Sequence, residues 1–173
     1  MDYLRLRNGA IALLITVPGI VSLSGCTQVL TQDYEAIAET TYVWQVEYVT
    51  DPNKVQGSRI ERFASTSLIN RNGIMPNDAV TGPDDQGLWW PALPPRPTVD
   101  ELEAAQQSRE DIGTPELIKQ VDYTLSYYSE EGRVTLPTDY SVYRKAVRAI
   151  EDGRSLELTL GVNDSSVEKA EIR

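Results

Sequence analysis

The sequence predicts an α+β domain in which a few short helices accompany an antiparallel β-sheet. Several stretches rich in β-branched and aromatic residues alternate between apolar and polar positions, which is typical of strands with one buried face. Turn residues separate these stretches, and a few positions carry helix-start signals. The chain of 173 residues is long enough to bury a sizeable core. We therefore expect a single globular α+β domain over residues 41–173.

The amino-terminal half of this domain predicts two strands. Residues 41–50 form the clearest strand, because large apolar side chains share one face: Tyr42, Trp44, Val46 and Tyr48. Turn chemistry at residues 51–53 ends it. Residues 59–69 predict a second strand, which Asn72-Gly73 ends with a turn. Before the first strand, residues 27–39 are polar with apolar residues near helical spacing, so we expect a tether with a short helix.

A long proline-rich connection without regular structure is expected over residues 77–97. Residues 88–97 read Leu-Trp-Trp-Pro-Ala-Leu-Pro-Pro-Arg-Pro, which favours an extended, polyproline-like path. Its indoles suit stacking on sugar rings, a membrane interface or a partner protein, whereas the alternative is that they dock on the sheet under a proline strap. The predicted partner-binding residues are Trp89, Trp90, Pro91, Pro94, Pro95, Arg96 and Pro97.

Thr98 starts a predicted helix, because Thr98 and Glu101 have the spacing of a capping box. This helix is expected to end near residues 111–113 and to bury only a thin apolar face. Thr114-Pro115-Glu116 looks like another helix start. Alternation from Val121 to Tyr127 then favours a strand.

Two similar tetrapeptides at residues 130–133 and 151–154 predict tight turns. Residues 140–150 fit two structures. The first is a helix with Tyr143, Val147 and Ile150 buried and Gly153 at its C-cap, and the second is a hairpin in which residues 147–150 pair with residues 156–160. Alternating leucines predict a strand from Leu156 to Val162, and residues 167–172 predict an edge strand.

The first 26 residues carry the pattern of an export signal. Arg5 and Arg7 precede an apolar stretch over residues 10–23, which Pro18 and Gly19 interrupt and which is shorter than the roughly 20 residues of a membrane-spanning helix. Leu23-Ser24-Gly25-Cys26 follows directly. This segment resembles a bacterial lipoprotein precursor, whose lipobox has a Leu-like residue, two small residues and an invariant cysteine. An ordinary secretory signal lacks support because no Ala-x-Ala site stands at the end of the apolar stretch, and a buried structural cysteine is the other alternative.

The resemblance implies a signal peptide at residues 1–25, a diacylglycerol thioether on Cys26 and acylation of the new amino terminus. Residues 26–40 would then be a lipid-anchored tether, with the domain on the non-cytoplasmic side of a bacterial membrane. Several acyl chains make such anchoring effectively permanent. With one cysteine in the chain, no intrachain disulfide forms.

The composition of the chain disfavours several classes of partner and catalytic site. The formal net charge of −10 disfavours nucleic acid and anionic lipid headgroups as partners. The chain has no histidine, which removes the commonest general base and most zinc sites, and we expect no cofactor and no metal. The sequence thus favours a non-catalytic module that binds another membrane or envelope protein. The alternatives are a glycan binder that stacks sugars on Trp89, Trp90 and Trp44, and a hydrolase with a carboxylate pair such as Glu47 and Asp122.

Overall fold

One open, largely antiparallel sheet dominates the computed structural model, which describes residues 27–50, 57–130 and 132–173. The strands are β1 (Gln28–Thr31), β2 (Tyr34–Val49), β3 (Ser58–Arg71), β4 (Asp111–Ile112), β5 (Glu116–Ser129), β6 (Gly132–Thr138), β7 (Leu156–Leu160) and β8 (Val167–Ile172). The helices are α1 (Val99–Ala105), α2 (Tyr140–Glu151) and a short 3-10 helix at Val162–Asp164. The predicted β-rich domain with short helices is confirmed in these coarse terms. The leader, Cys26 and the turn at residues 51–53 lie outside the described residues.

The strand order is β1-β7-β8-β6-β5-β2-β3, and β4 pairs with the end of β2. Strand β2 is long and pairs with β3 on one side and with β5 on the other. Its even-numbered positions face inward and are mostly buried, namely Ala36, Ala38, Thr40, Tyr42, Val46 and Tyr48. Helix α2, the connection after β3 and helix α1 cover this inner face in that order along β2.

Helix α2 forms the main core against the inner face of the sheet. Asp139 caps its first turn, where the carboxylate accepts a hydrogen bond from the Val142 backbone N–H at 2.9 Å. Its buried positions include Ala146 and Ala149, which pack with Ala36, Ala38 and Ala170 in one cluster. Leucines supply the larger buried side chains at Leu125, Leu156 and Leu158. Each such side chain contributes about 1.5–3 kcal/mol when fully buried.

The predicted short helix in residues 27–39 is wrong, because residues 28–31 lie in β1 and residues from 34 onward lie in β2. Strand β2 begins at Tyr34, seven residues before the predicted start. Alternating small residues explain the extension, because Ala36 and Ala38 are fully buried where α2 packs on the strand. The predicted second strand and the turn at Asn72-Gly73 are confirmed, with both turn residues at positive φ.

Helix α1 starts with the predicted capping box but ends at Ala105 rather than near residues 111–113. Gln106 adopts an extended backbone, and Arg59 donates a hydrogen bond to the Ala105 carbonyl at 2.6 Å. The predicted helix start at residues 114–116 is also wrong, because β5 begins at Glu116. Gly113 lies shortly before β5 and packs closely on β2, because a Cβ at this position would lie 2.6 Å from the Glu47 carbonyl oxygen.

The helical alternative for residues 140–150 is confirmed, with Gly153 at a positive φ of 62° beyond the helix. Val147 and Ile150 are only partly buried, because Ala146 and Ala149 take the inner positions. Val162 does not continue β7, since it lies in the 3-10 helix and is 83% exposed. Strand β8 is not an edge strand, because it lies between β7 and β6. No helix in the described ranges has the length and apolar character needed to cross a membrane.

Candidate functional site

The segment 88–97, here called the strap, contains all seven predicted partner-binding residues. Every third residue from position 91 is a buried proline, namely Pro91, Pro94 and Pro97. This spacing matches the three residues per turn of polyproline II. Pro95 and Arg96 are exposed. The strap therefore has one face that packs against the sheet and one face in contact with solvent.

Trp90 belongs to the packed face of the strap. It is 5% exposed, and its ring centroid lies 4.9 Å from that of Tyr42. Its indole N–H donates a hydrogen bond to Asp84 at 2.8 Å, and the Lys119 ammonium lies 4.9 Å from its ring centroid. Burial, ring contact and a satisfied indole N–H together give Trp90 a packing role.

Trp44 lies on β2 and contacts the strap, and Trp89 is part of the strap. The Trp44 indole N–H donates to the Pro94 carbonyl at 3.0 Å, and the Arg96 guanidinium lies 5.6 Å from the Trp44 ring centroid. Trp89 is half-buried next to Trp90. The three tryptophans thus do not form the exposed platform that the glycan hypothesis required. The partner role of the seven strap residues stays a prediction.

A buried polar network, which sequence reasoning missed, holds the start of the strap. Asn70 is fully buried and exchanges two hydrogen bonds with the Trp89 backbone, at 2.8 and 3.0 Å. Thr40, also fully buried, donates to the Trp89 carbonyl at 2.7 Å. Thr40 and Leu68 form a cross-strand pair, as do Ala38 and Asn70, so the network spans β2 and β3. Such bonds fix the strap because leaving these buried groups unpaired would be costly.

An apolar patch lies beyond this network, where β3 ends. Ile69 is 39% exposed, Ile74 68% and Met75 55%. With Arg71, Pro76 and Asn77 these residues line an open cavity of about 390 Å³. Strand β3 is the last strand of the sheet, so the patch adjoins a sheet edge. Two large apolar residues between the Asn72-Gly73 turn and Pro76, outside any alternating pattern, were the available sequence signal.

A second cavity, here called the Trp89 groove, lies between α2 and the loop that precedes the strap. Its volume is about 270 Å³, and its lining includes Gln86, Trp89, Tyr143, Arg144 and Glu151. The Tyr143 hydroxyl is buried, and its proton has no acceptor within hydrogen-bond distance in the described ranges. Burial raises the Tyr143 pKa, and the backbone N–H of Gly73 partly opposes this without providing an acceptor for the hydroxyl proton.

Another cavity, of about 480 Å³, lies where the β1–β2 turn meets the end of α2 and the carboxyl terminus. Its polar groups bind one another. The Tyr34 hydroxyl donates to the Arg154 carbonyl at 2.6 Å, and the Arg154 side chain donates to the Arg173 carbonyl at 2.8 Å. These contacts give the cavity wall a structural role.

Glu47 and Asp122, the carboxylate pair of the hydrolase alternative, lie far apart. Asp122 pairs across the sheet with Glu39, eight residues before Glu47 along β2. At about 3.3 Å per residue, Glu47 lies roughly 26 Å from Asp122, beyond the spacing of a glycosidase pair. The Glu39 and Asp122 pair itself lies on the outer face of the sheet.

Glu110 forms the best-defined ion pair. Its side chain is 4% exposed and accepts two hydrogen bonds from Arg59, both at 2.9 Å. These bonds hold the pKa of Glu110 below its ordinary value. The Arg59 guanidinium also lies 4.4 Å from the Tyr48 ring centroid. Because Arg59 further bonds the end of α1, this pair ties β3 to α1.

The described part of the chain contains no group of three carboxylates or other metal-binding side chains placed to hold a metal ion. Comparisons with family models, curated proteins and solved structures found nothing that matches this chain.

Proposed function

We propose that this protein is a lipid-anchored α+β module that binds another envelope protein at the surface of a bacterial membrane. The anchor follows from the Leu23-Ser24-Gly25-Cys26 pattern after an apolar stretch. Confinement to one membrane raises the effective concentration of both partners, so a modest affinity suffices. Cys26→Ser is expected to move the protein from the detergent phase to the aqueous phase on phase partitioning, once intact mass confirms that the leader has been removed.

The observation that carries the proposal is the apolar patch of Ile69, Ile74 and Met75. Single exposed apolar residues are ordinary, whereas adjacent ones next to a sheet edge are typical of association sites. Much of the outer face of β2 and β3 is polar, as the hydrogen bond between Thr41 and Ser67 illustrates. The patch therefore differs from the polar surface beside it.

The edge of β3 supports the same surface. A register shift between Val43 and Gln45 interrupts its pairing with β2, and such bulges discourage strand addition. Beyond the bulge, residues 65–71 pair regularly with β2 and lead directly to the patch. Arg71 is already paired, since its carbonyl accepts a hydrogen bond from the Ile74 backbone N–H at 2.9 Å. An extended segment of a partner could add to the edge before Arg71 and place alternate side chains on Ile69 and Ile74.

The strap is a weaker candidate for the contact, because Trp90 is buried and Trp89 is half-buried. Trp90, Pro91, Pro94 and Pro97 all face the sheet. Of the predicted residues, Pro95 and Arg96 remain exposed, and Arg96 lies near the Trp44 ring. We therefore assign the partner contact to the patch and the packing role to the strap.

The test is co-purification from native membranes with a double substitution in the patch, Ile74→Ser with Met75→Ser. The matched control is Leu93→Ser, because Leu93 is 63% exposed on the strap. We expect the patch variant to lose a partner that the wild type and the control retain, while all three proteins melt at similar temperatures. Loss of the same partner in the control alone would place the contact on the strap and overturn the assignment.

A further inference from the structure

The Trp89 groove has a rigid wall. Asp84 accepts hydrogen bonds from the backbone N–H groups of Gln86 and Leu88, both at 2.9 Å, and from the Trp90 indole at 2.8 Å. Leu88 is fully buried beneath the loop. These contacts fix the loop that carries Gln86 and Trp89, so the groove is preformed.

The groove carries polar groups held in place by tyrosines. The Tyr123 hydroxyl donates to the Gln86 side-chain oxygen at 3.0 Å, which leaves the Gln86 amide N–H groups without a hydrogen bond in the described ranges. Arg144 donates to the Tyr140 hydroxyl at 3.0 Å, and its guanidinium lies 5.9 Å from that ring centroid. Glu151 supplies a carboxylate at the opposite end of the lining. The groove thus combines a half-buried indole with fixed donors and an acceptor.

Positive charge continues from the groove along α2. Arg144, Lys145 and Arg148 are exposed on one side of the helix, and none forms an ion pair with a carboxylate in the part of the chain that the structure describes. Acidic residues outnumber basic ones by 26 to 16. Arginines elsewhere, such as Arg59 and Arg71, do pair with glutamates. Lys145 lies near Asp139 and Glu171 and helps to lower the pKa of each carboxylate. Arg144 and Arg148 are therefore the two cations that favour an external anion at this place in an acidic protein.

We propose that the Trp89 groove binds one sugar unit of an acidic polysaccharide whose rings carry carboxylates. The apolar face of the ring stacks on the Trp89 indole, and the ring carboxylate pairs with the Arg144 guanidinium. Gln86 and Glu151 bind ring hydroxyls, as donor and acceptor respectively. The next acidic unit along the chain meets Arg148. A concave site between a helix and a loop fits a sugar ring, whereas a flat membrane surface does not enter it.

The test is isothermal titration calorimetry of the mature protein, purified from membranes in a zwitterionic detergent. The probes are trigalacturonate, which carries three carboxylates, and maltotriose, which is neutral. We expect trigalacturonate to bind at least tenfold more tightly than maltotriose and to shift the Trp89 indole N–H resonance in NMR spectra. Arg144→Gln is expected to weaken trigalacturonate binding at least tenfold, and Gln86→Ala several-fold. Both variants should melt at the wild-type temperature because both side chains are exposed.

The matched control is Arg62→Gln, since Arg62 is another arginine without an ion pair among the described residues and lies on β3. It is expected to bind trigalacturonate as the wild type does. Equal affinity for the two sugars, no binding of either, or equal losses in Arg144→Gln and Arg62→Gln would overturn the proposal. Binding to phosphatidylglycerol vesicles that Arg144→Gln abolishes, without trigalacturonate binding, would overturn it in favour of a lipid contact.

Discussion

Trp90→Ala tests the packing role of the strap most sharply. The substitution removes a side chain that is 5% exposed, its contact with Tyr42 and the indole hydrogen bond to Asp84. Truncation of a buried tryptophan costs about 3–5 kcal/mol. Since 1 kcal/mol shifts the melting temperature of a domain of this size by about 2–4 °C, we expect a loss of roughly 6–20 °C.

Thermal unfolding followed by circular dichroism measures this loss. Leu93→Ala is the matched control, because Leu93 lies on the same strap and is 63% exposed. We expect the control to change the melting temperature by no more than about 2 °C, as surface substitutions usually do. A Trp90→Ala protein that melts within this same range would refute the packing role and return Trp90 to the candidates for partner binding.

Three further predictions concern pH dependence and backbone geometry. Hydrogen bonds from Arg59 lower the pKa of Glu110 below its ordinary value of 4.5, so the stability it contributes is present above that pH and is lost as the pH falls through the lowered value. Acid titration of the melting temperature should therefore show a smaller loss in Glu110→Gln than in the wild type, and equal losses would contradict this role of the pair. Burial raises the pKa of Tyr123 to about 12, so the stability that its protonated hydroxyl contributes is present below pH 10 and is lost as the pH rises toward 12. Ultraviolet titration of Tyr123→Phe should therefore lack the tyrosine that ionises last in the wild type. Gly113→Ala should lower the melting temperature, because the added Cβ would lie 2.6 Å from the Glu47 carbonyl oxygen. Gly87→Ala is the comparison, because its Cβ would lie in open space and only the positive φ would destabilise it.

Elements with a strong local period could be predicted from the sequence. The face of Tyr42, Val46 and Tyr48 is buried as the alternation indicated, because one side of β2 meets the core and the other meets solvent. Helix α2 has a helical apolar period, an aspartate at its N-cap and a glycine beyond its end. The capping box of α1 is equally local, and both of its hydrogen bonds are formed.

Features that depend on distant partners could not be predicted. Ala36 and Ala38 carry little apolar signal, yet they are fully buried because α2 approaches them closely. The interior position of β8 depends on its pairing with β7 and on the bridge from Thr138 to Val167, which no local pattern encodes.

The candidate binding surfaces also depend on contacts between residues that are distant in the sequence. The composition of the strap left open whether its indoles bind a partner or pack on the sheet, and only the folded chain shows that Trp90 is buried. The turn at Asn72-Gly73 reverses the chain so that Ile74 pairs with Arg71 at the end of β3, and the side chains of Ile74 and Met75 are exposed there. The Trp89 groove joins residues from a loop and from a helix more than fifty positions apart, so only the folded chain brings Gln86 and Arg144 together.

The most direct test of the proposed association is site-specific photo-cross-linking in native membranes. Benzoylphenylalanine replaces Ile74 in the patch in one variant and Leu93 on the strap in another, since both side chains are exposed to a similar degree. Our account predicts a discrete protein adduct from position 74 and none from position 93. An adduct from position 93 without one from position 74 would contradict it, as would the absence of adducts at both positions in a folded, membrane-bound protein.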